Sequence, residues 1–234
     1  CYHQMKSKRC QEQGVQLIHV FGCEWKYKQD IIKSILRNKL KRNESVYYAR
    51  KLTLDDNVPY LESAQFLNQN HRQGNCVSAN VRLGLRDSCG ELLALMTFGK
   101  VRNSISKSSD SCDDDMELLR FCAKLNTSVV GGCSKLFKYY VRNFPFHSII
   151  SYSDFARTSG SVYSKLGFEF ERLSTPGYMW VHISNDAYLT RIACQKQNIS
   201  KTFDDCDIDL SMTESQIMTS LNYVRVYDSG ACKW

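Results

Sequence analysis

Four groups of residues in this 234-residue chain combine side chains and backbone breaks that could carry group-transfer chemistry. The first is Val130-Gly131-Gly132-Cys133-Ser134, which follows an apolar stretch and opens an amphipathic one. The first amides of a helix have no intrahelical acceptor and bind anions, and glycines let a phosphate approach the backbone closely. That pattern suits a pyrophosphate, with a glycine pair serving only tight helix–strand packing as the alternative. The second is Ser153-Asp154, at the end of a predicted strand, followed by Gly160-Ser161-Val162-Tyr163 at the start of a short predicted helix. Open α/β sheets keep their sites at the carboxyl ends of strands. A Tyr there can protonate a leaving thiolate or orient a substrate, and Asp154 can share acid/base work; the alternative for Tyr163 is packing between helix and sheet. The third is Glu117-Leu118-Leu119-Arg120. On a strand, Glu117 and Leu119 face one side and Leu118 and Arg120 the other, and charges on an internal strand need partners. They would place a substrate or form a structural ion pair. His71, followed by Gly74 at a predicted helix end, is the fourth, either substrate-placing or structural.

The elements that must position these groups can be read from periodicity. Residues 15–21 form a short apolar run that predicts a strand ending at Gly22. Trp25, Ile31, Ile32, Ile35, Leu36 and Leu40 recur at helical spacing with Lys and Arg opposite, which predicts an amphipathic helix. Residues 46–52 predict another strand. From Tyr60 the pattern gives a helix over 61–70, then strands over 77–85 and 91–99 joined by a turn at 87–90. The polar stretch 102–115 predicts a mobile loop, and its Asp113-Asp114-Asp115 run lacks the spacing of a calcium loop. A strand over 116–123, a helix over 132–143, a strand over 148–153, a helix over 159–166 and strands over 168–173 and 178–183 follow. The chain closes with a polar helical stretch around 186–200, a helix near 213–221 opened by a Thr213-x-x-Gln216 capping box, and a strand over 223–227. The fold class is α/β: a mixed central sheet flanked by helices, preceded by a partial α/β segment.

Bulk composition narrows the function classes. Hydrophobic residues make up 43% of the chain and aromatics 12%, enough for a packed core rather than a disordered chain. No apolar run approaches the length a membrane helix needs, so no membrane partner is expected, and no secretory signal opens the chain. The eleven cysteines include no CxxC pair, so they read as reduced thiols packed as small apolar fillers, not as a zinc site or disulfide framework. A cytoplasmic location follows as an expectation. The net charge of +7 is uneven: residues 1–51 hold twelve Lys/Arg against four acids, and the remainder is nearly balanced. That asymmetry suits a polyanion such as DNA, reached through phosphate contacts, or else a solvated basic helix face.

The glycine-rich helix start, together with Gly160-x-x-Tyr163-x-x-x-Gly167-Phe168, resembles the acetyl-CoA-binding core of GNAT acyltransferases. The resemblance implies that Val130, Gly131, Gly132, Cys133 and Ser134 grip the donor phosphates and that Tyr163 is the general acid. Cys133 stands where that family usually has Gly or Ala, and Ser128 where it has Gln or Arg. Over residues 60–183 the chain is more closely similar to phage GNAT-like domains related to the DNA-modification enzyme Mom, through Glu117-Leu118-x-Arg120, Ser153-Asp154, Gly160-x-x-Tyr163 and His71 with Gly74. This implies a small-molecule acyl donor, acetyl-CoA or a relative, and DNA bases as acceptor, with Asp154, Tyr163, Glu117, Arg120 and His71 at the site. Residues 1–55, through Tyr2-His3, Cys10, the 14–21 stretch, Glu24-Trp25, Lys28 and Tyr48-Ala49-Arg50-Lys51, resemble the last part of a phage homing endonuclease whose nuclease domain is like those of very-short-patch repair enzymes. Tyr223-x-Arg225-Val226-Tyr227-Asp228-x-Gly230 resembles the tail of such proteins. The metal-binding carboxylates of that family lie mostly upstream of this segment, and only Glu12 and Glu24 are candidates within it. The resemblances imply three segments: 1–55 endonuclease-like, 56–185 GNAT-like and 186–234 a C-terminal extension. A phage-type DNA-processing protein working in the host cytoplasm is the first expectation. An N-acetyltransferase for a small molecule or protein and a non-catalytic DNA-binding module are the alternatives.

Overall fold

The computed structural model describes residues 2–101, 114–204 and 208–234. In chain order the helices are α1 (Tyr2–Glu12), α2 (Gly22–Tyr27), α3 (Gln29–Lys39), α4 (Tyr60–Asn70), α5 (Gly132–Asn143), α6 (Ser161–Leu166), α7 (Lys196–Thr202) and α8 (Glu214–Ser220). The strands are β1 (Ser45–Tyr48), β2 (Thr53–Asp55), β3 (Val81–Arg86), β4 (Leu92–Lys100), β5 (Asp115–Ala123), β6 (Thr127–Val130), β7 (Ser148–Asp154), β8 (Arg172–Leu173), β9 (Tyr178–His182), β10 (Tyr188–Thr190), β11 (Tyr223–Tyr227) and β12 (Ala231–Lys233). The protein is thus mixed α/β with a mixed sheet. It divides into two units, neither continuous in sequence. Unit 1 takes Cys1–Tyr27, Ser153–Gly160 and Arg172–Cys232; unit 2 takes Lys28–Tyr152, Ser161–Glu171 and Lys233–Trp234. These bounds do not coincide with the three segments the resemblances imply.

In unit 2 the strands β2, β3, β4, β5 and β7 are successive neighbours. The first four are antiparallel, and β5 and β7 are parallel. The C-terminal pair extends this layer: Trp234 and Ser151 exchange two backbone hydrogen bonds, and the Glu171 amide donates to the Lys233 carbonyl. β4 is buried over eight consecutive residues. A strand covered on both faces reads as a continuous apolar run, which Leu92-Leu93-Ala94-Leu95-Met96 supplies. α5 buries Leu136, Phe137 and Tyr140 against this sheet, with the Tyr140 ring stacked on Phe98 at 3.6 Å. On the other side α4 packs Phe66 and Leu67 against Leu92 and Leu95. Arg86 ties the layers together, its guanidinium donating to Asp55 at 2.7 Å and to both Glu62 oxygens at 2.7 Å. β1 and β6 form a separate parallel ribbon.

Unit 1 is built on the antiparallel sheet β10-β9-β11. One face carries Trp180 under α7 and α8, with Ile199, Ile217 and Met218. The other face carries Val181 with Phe21 and Cys23. The capping box at Thr213 and Gln216 is formed, and it fixes the start of α8.

Several expected elements are corrected. Residues 15–21 join no strand ladder among the described residues; single bonds, such as His19 N–H to Ala156 O, hold them, and Gly22 begins α2 instead of ending a strand. The strand expected over 46–52 stops at Tyr48, where a 3₁₀ turn Ala49–Lys51 intervenes before β2. Residues 77–80 precede β3, and of 168–173 only Arg172–Leu173 is strand. The helix expected around 186–200 is divided between β10 and α7. Most of the predicted loop 102–115, Asp113 included, lies outside the described residues. Asp115 begins β5 and accepts a hydrogen bond from Ser148 Oγ at 2.6 Å.

Candidate functional site

The groups that could do chemistry in unit 2 gather where β5 and β7 part. These parallel strands pair at four positions only, from Asp115 with Ser148 to Leu118 with Ser151. Beyond Leu118 the register of β5 against β4 slips by one residue at Leu119, which is the signature of a bulge. A bulge bends its strand and ends regular pairing, so the two strands separate there. Gly99 opposite Glu117 admits this crowding: a Cβ on it would lie 2.5 Å from the Ser78 carbonyl and 2.8 Å from Leu119.

α5 starts beside the ribbon of β1 and β6. Gly131 turns the chain from β6 into the helix at φ 77°, a left-handed conformation that favours glycine. Gly132 has a packing reason as well, since a Cβ there would meet Val129 at 2.9 Å. Tight helix–strand packing therefore accounts for the second glycine without any ligand. Lys135 does not face an anion, because its ammonium donates to the Ala49 and Leu52 carbonyls at 2.9 and 2.6 Å. Those two bonds hold the 3₁₀ turn against the helix start, with Ala49 lying 3.8 Å from a Cβ on Gly131. The exposed Arg50 and Lys51 ride on that turn, Arg50 over the Tyr48 ring. Their types and spacing place them in a basic tract and in the endonuclease-like segment, not beside the start of α5. Burial pushes the Cys133 thiol up to about 12, so it is neutral and no nucleophile at neutral pH.

Tyr163, on α6, is held between two rings, stacked on Trp234 at 5.5 Å and edge-on to Phe168 at 5.7 Å. Burial raises its phenol above the ordinary value, an interaction with the Ser151 hydroxyl opposes that, and Cys133 and Arg120 are near enough to act on it. Ser151 Oγ itself donates to the Leu118 carbonyl at 2.9 Å, so Tyr163 reaches the point where β5 and β7 part. Trp234 also walls a pocket of about 510 Å³ with Phe137, Val141, Ile150, Leu166 and Phe170. Nothing in the sequence near Trp234 signals this, since its partners lie 64 to 97 positions away.

His71 caps the end of α4 and lies near Arg120. Burial, then the cations Arg120, Arg72 and Lys28, lower its pKa to about 3. The Gln73 amide donates to His71 Nδ1 at 3.2 Å, so the neutral ring carries its proton on Nε2. It can donate a hydrogen bond but is a weak base. Arg120 donates to the carbonyls of Gly74 and Leu119 at 3.3 and 2.7 Å. Glu117 is 4% exposed on β5, on the face shared with Leu119.

Asp154 belongs to unit 1. Its Oδ2 accepts from Arg157 Nη1 at 2.6 Å and its Oδ1 from the Ala156 amide at 2.9 Å. Arg157 is buried and also pairs with buried Glu24. These bonds make Asp154 one end of a Glu24–Arg157–Asp154 ion-pair chain. Among the described residues no group of three or more His, Cys, Asp or Glu could hold a metal ion, and the eight described cysteines are free. No helix among them is long and apolar enough to cross a membrane. No family model matches the chain, and no curated protein matches it at a significant level.

Proposed function

We propose that unit 2 is a GNAT-like acyl-transfer domain that takes acetyl-CoA or a related donor and acts on DNA. The observation that carries this reading is the parting of β5 and β7 after Leu118 and Ser151, with a neutral phenol, Tyr163, at that point. The gap between parallel strands offers backbone groups to an extended donor arm. The amides at the start of α5 suit a pyrophosphate, and Arg50 and Lys51 supply charge that Ser128 does not. The donor would supply an acyl group activated as a thioester. Tyr163 keeps its proton at neutral pH because burial raises its pKa; it would give that proton to the sulfur as the carbon–sulfur bond breaks and the acceptor nitrogen bonds to the acyl carbon, and the proton shed by that nitrogen would restore the phenol. His71 Nε2–H and Arg120 would orient the acceptor.

DNA is the favoured acceptor because residues 28–51 of this unit hold eight Lys/Arg against two acids. Arg37 is paired with Glu44 at 3.1 Å, but Lys41, Arg42, Arg50 and Lys51 are exposed. Titration calorimetry with acetyl-CoA, followed by mass spectrometry of nucleosides from DNA incubated with protein and donor, tests the reading. Donor binding and an acyl mass increment on a base are expected. Absence of donor binding overturns it, and binding with acylation of amines but not DNA leaves the small-molecule or protein acetyltransferase.

A further inference from the structure

Unit 1 carries a run of alternating cations and aromatic rings beside its edge strand. Arg225, on β11, lies over the Tyr178 and Trp180 rings at 4.9 Å each, and Arg191 lies over Tyr178 at 5.3 Å. Both arginines are exposed, and among the described residues neither has a carboxylate within ion-pair distance. The nearby acids are turned elsewhere. Glu214 accepts from Tyr178 Oη at 2.8 Å and Trp180 Nε1 at 3.1 Å, and Asp228 accepts from the amides of Gly177 and Gly230 at 2.7 and 2.8 Å. The guanidiniums thus lie over aromatic rings and, among the described residues, pair with no carboxylate.

The run continues along β11. The Tyr227 ring leans on Tyr178 at 5.6 Å, His3 Nδ1 bonds the Tyr227 carbonyl at 2.7 Å, His3 is edge-on to Tyr2 at 5.6 Å, and Lys6 sits 4.7 Å over the Tyr2 ring. Tyr2, His3, Arg225, Val226 and Tyr227 line an open groove of about 530 Å³. Tyr2 is 59% and Tyr227 40% exposed. β11 is also an edge. Ile183 N–H donates to Asn222 O and Asp228 N–H to Gly177 O, so in an antiparallel ladder the backbone groups of Tyr223, Arg225 and Tyr227 point outward.

We propose that this groove binds a single-stranded segment of nucleic acid, with unpaired bases stacked on Tyr2 and Tyr227 and phosphates on Lys6, Arg225 and Arg191. Aromatic rings interleaved with cations along a groove match the alternation of bases and phosphates in such a strand. A duplex keeps its bases stacked on each other and cannot use the rings. A peptide strand could pair with the edge but would leave these cations without anionic partners. The proposal rests on the DNA part of the proposed function only in its class of partner, and it needs no transfer chemistry.

Fluorescence anisotropy of the full chain with labelled oligo(dT), with a duplex of equal length as reference, tests it. The expected result is tighter binding of the single strand, weakened by about tenfold in Tyr227→Ala through loss of one stacked base. Arg191→Gln/Arg225→Gln should lower the slope of log affinity against log salt by about 0.7 for each phosphate that is no longer neutralised. Because Arg225 packs on Trp180, the exposed Lys6→Ala serves as the variant least able to disturb folding, and it too should lower that slope. Unchanged affinity and slope in all three variants, or equal affinity for duplex and single strand, overturn the proposal. Acetyl-CoA binding by the same preparations separates the two readings. Donor binding without a variant effect on oligonucleotide sinks only the groove, and oligonucleotide binding without donor binding sinks only the transferase.

Discussion

The two units hold their functional candidates in different ways. In unit 2 the core beneath Tyr163 is Leu, Phe and Met from β3, β4 and α5. In unit 1 an ion-pair chain runs through the interior: Glu24, Arg157 and Asp154 join helix α2 to residues 153–160. Nearby, Ser7 Oγ bonds both His19 Nε2 at 3.0 Å and Ser229 Oγ at 3.2 Å. Burial, then His3, Arg157 and Lys6, lower the His19 pKa, which favours its neutral form. Three separated chain segments of this unit are thus joined by polar groups that must all be matched. The difference teaches that titratable side chains are held in one unit by an ion-pair chain, as Asp154 is, and in the other beside an opening in an apolar sheet, as Tyr163 is.

The sharpest way to break that comparison is Glu24→Gln. It leaves the buried Arg157 with one carboxylate of its two, and loss of a buried ion-pair partner costs about 3 kcal/mol or more. Chemical denaturation should show the loss, with acetyl-CoA affinity unaltered if the transfer site is confined to unit 2. An unchanged midpoint would mean that the ion-pair chain does not hold unit 1 together.

Tyr163→Phe tests the other side. It keeps the stacking on Trp234 and removes the proton, so transfer should slow by about a hundredfold with donor affinity little changed. In the wild type the phenol must be protonated to act as acid. Its pKa is raised, so activity limited by this group should persist through neutral pH and fall only above the ordinary phenol value. A rate that Tyr163→Phe leaves intact would return Tyr163 to a packing role.

Unit 2 was the more legible in sequence, for a physical reason. β3, β4, β5, α4 and α5 bury their side chains against neighbours in the same unit, so period-2, continuous apolar and period-3.6 patterns report them directly. Unit 1 draws on three separated segments, and its short strand β10 has too few residues to show a period. The run Val15–Phe21 looks like a strand because it is apolar, yet Phe21 is buried by side-chain contact with Val181 and Cys23 and the run joins no described ladder. At the candidate site the glycine turn, Tyr163, Arg120 and His71 could be read from types and spacing. Trp234 and the Arg50–Lys51 turn could not, because only tertiary packing brings them to α5 and α6.

Arg86→Ala sharpens how unit 2 is tied together. The guanidinium joins β2, β3 and α4 through Asp55 and Glu62, so its loss should cost about 2 kcal/mol as charge-assisted hydrogen bonds. Arg86 holds the Glu62 carboxyl below its ordinary value. A depressed folded pKa gives stability that is present above the unfolded value and is lost as pH falls through the folded one. The gap in Tm between wild type and Arg86→Ala should therefore narrow from pH 7 to pH 3. A gap independent of pH would show that alkyl packing, not the ion pair, carries the effect.

The smallest expected effect lies at Gly131, and it separates two explanations of the glycine pair. Gly131→Ala must hold a Cβ at φ 77°, which costs about 1–2 kcal/mol, but the nearest atom to that Cβ is Ala49 at 3.8 Å, an ordinary contact. Gly132→Ala instead drives a Cβ to 2.9 Å from Val129, an overpacking cost with normal backbone. If the start of α5 receives a donor phosphate, Gly131→Ala should weaken acetyl-CoA by more than its modest loss of stability accounts for, because the methyl group stands at the turn where the phosphate would approach. Gly132→Ala, with its methyl directed at Val129, should change stability and affinity together. Equal ratios of affinity loss to stability loss in the two variants would mean that both glycines serve packing alone, and that a donor, if one binds, is gripped elsewhere.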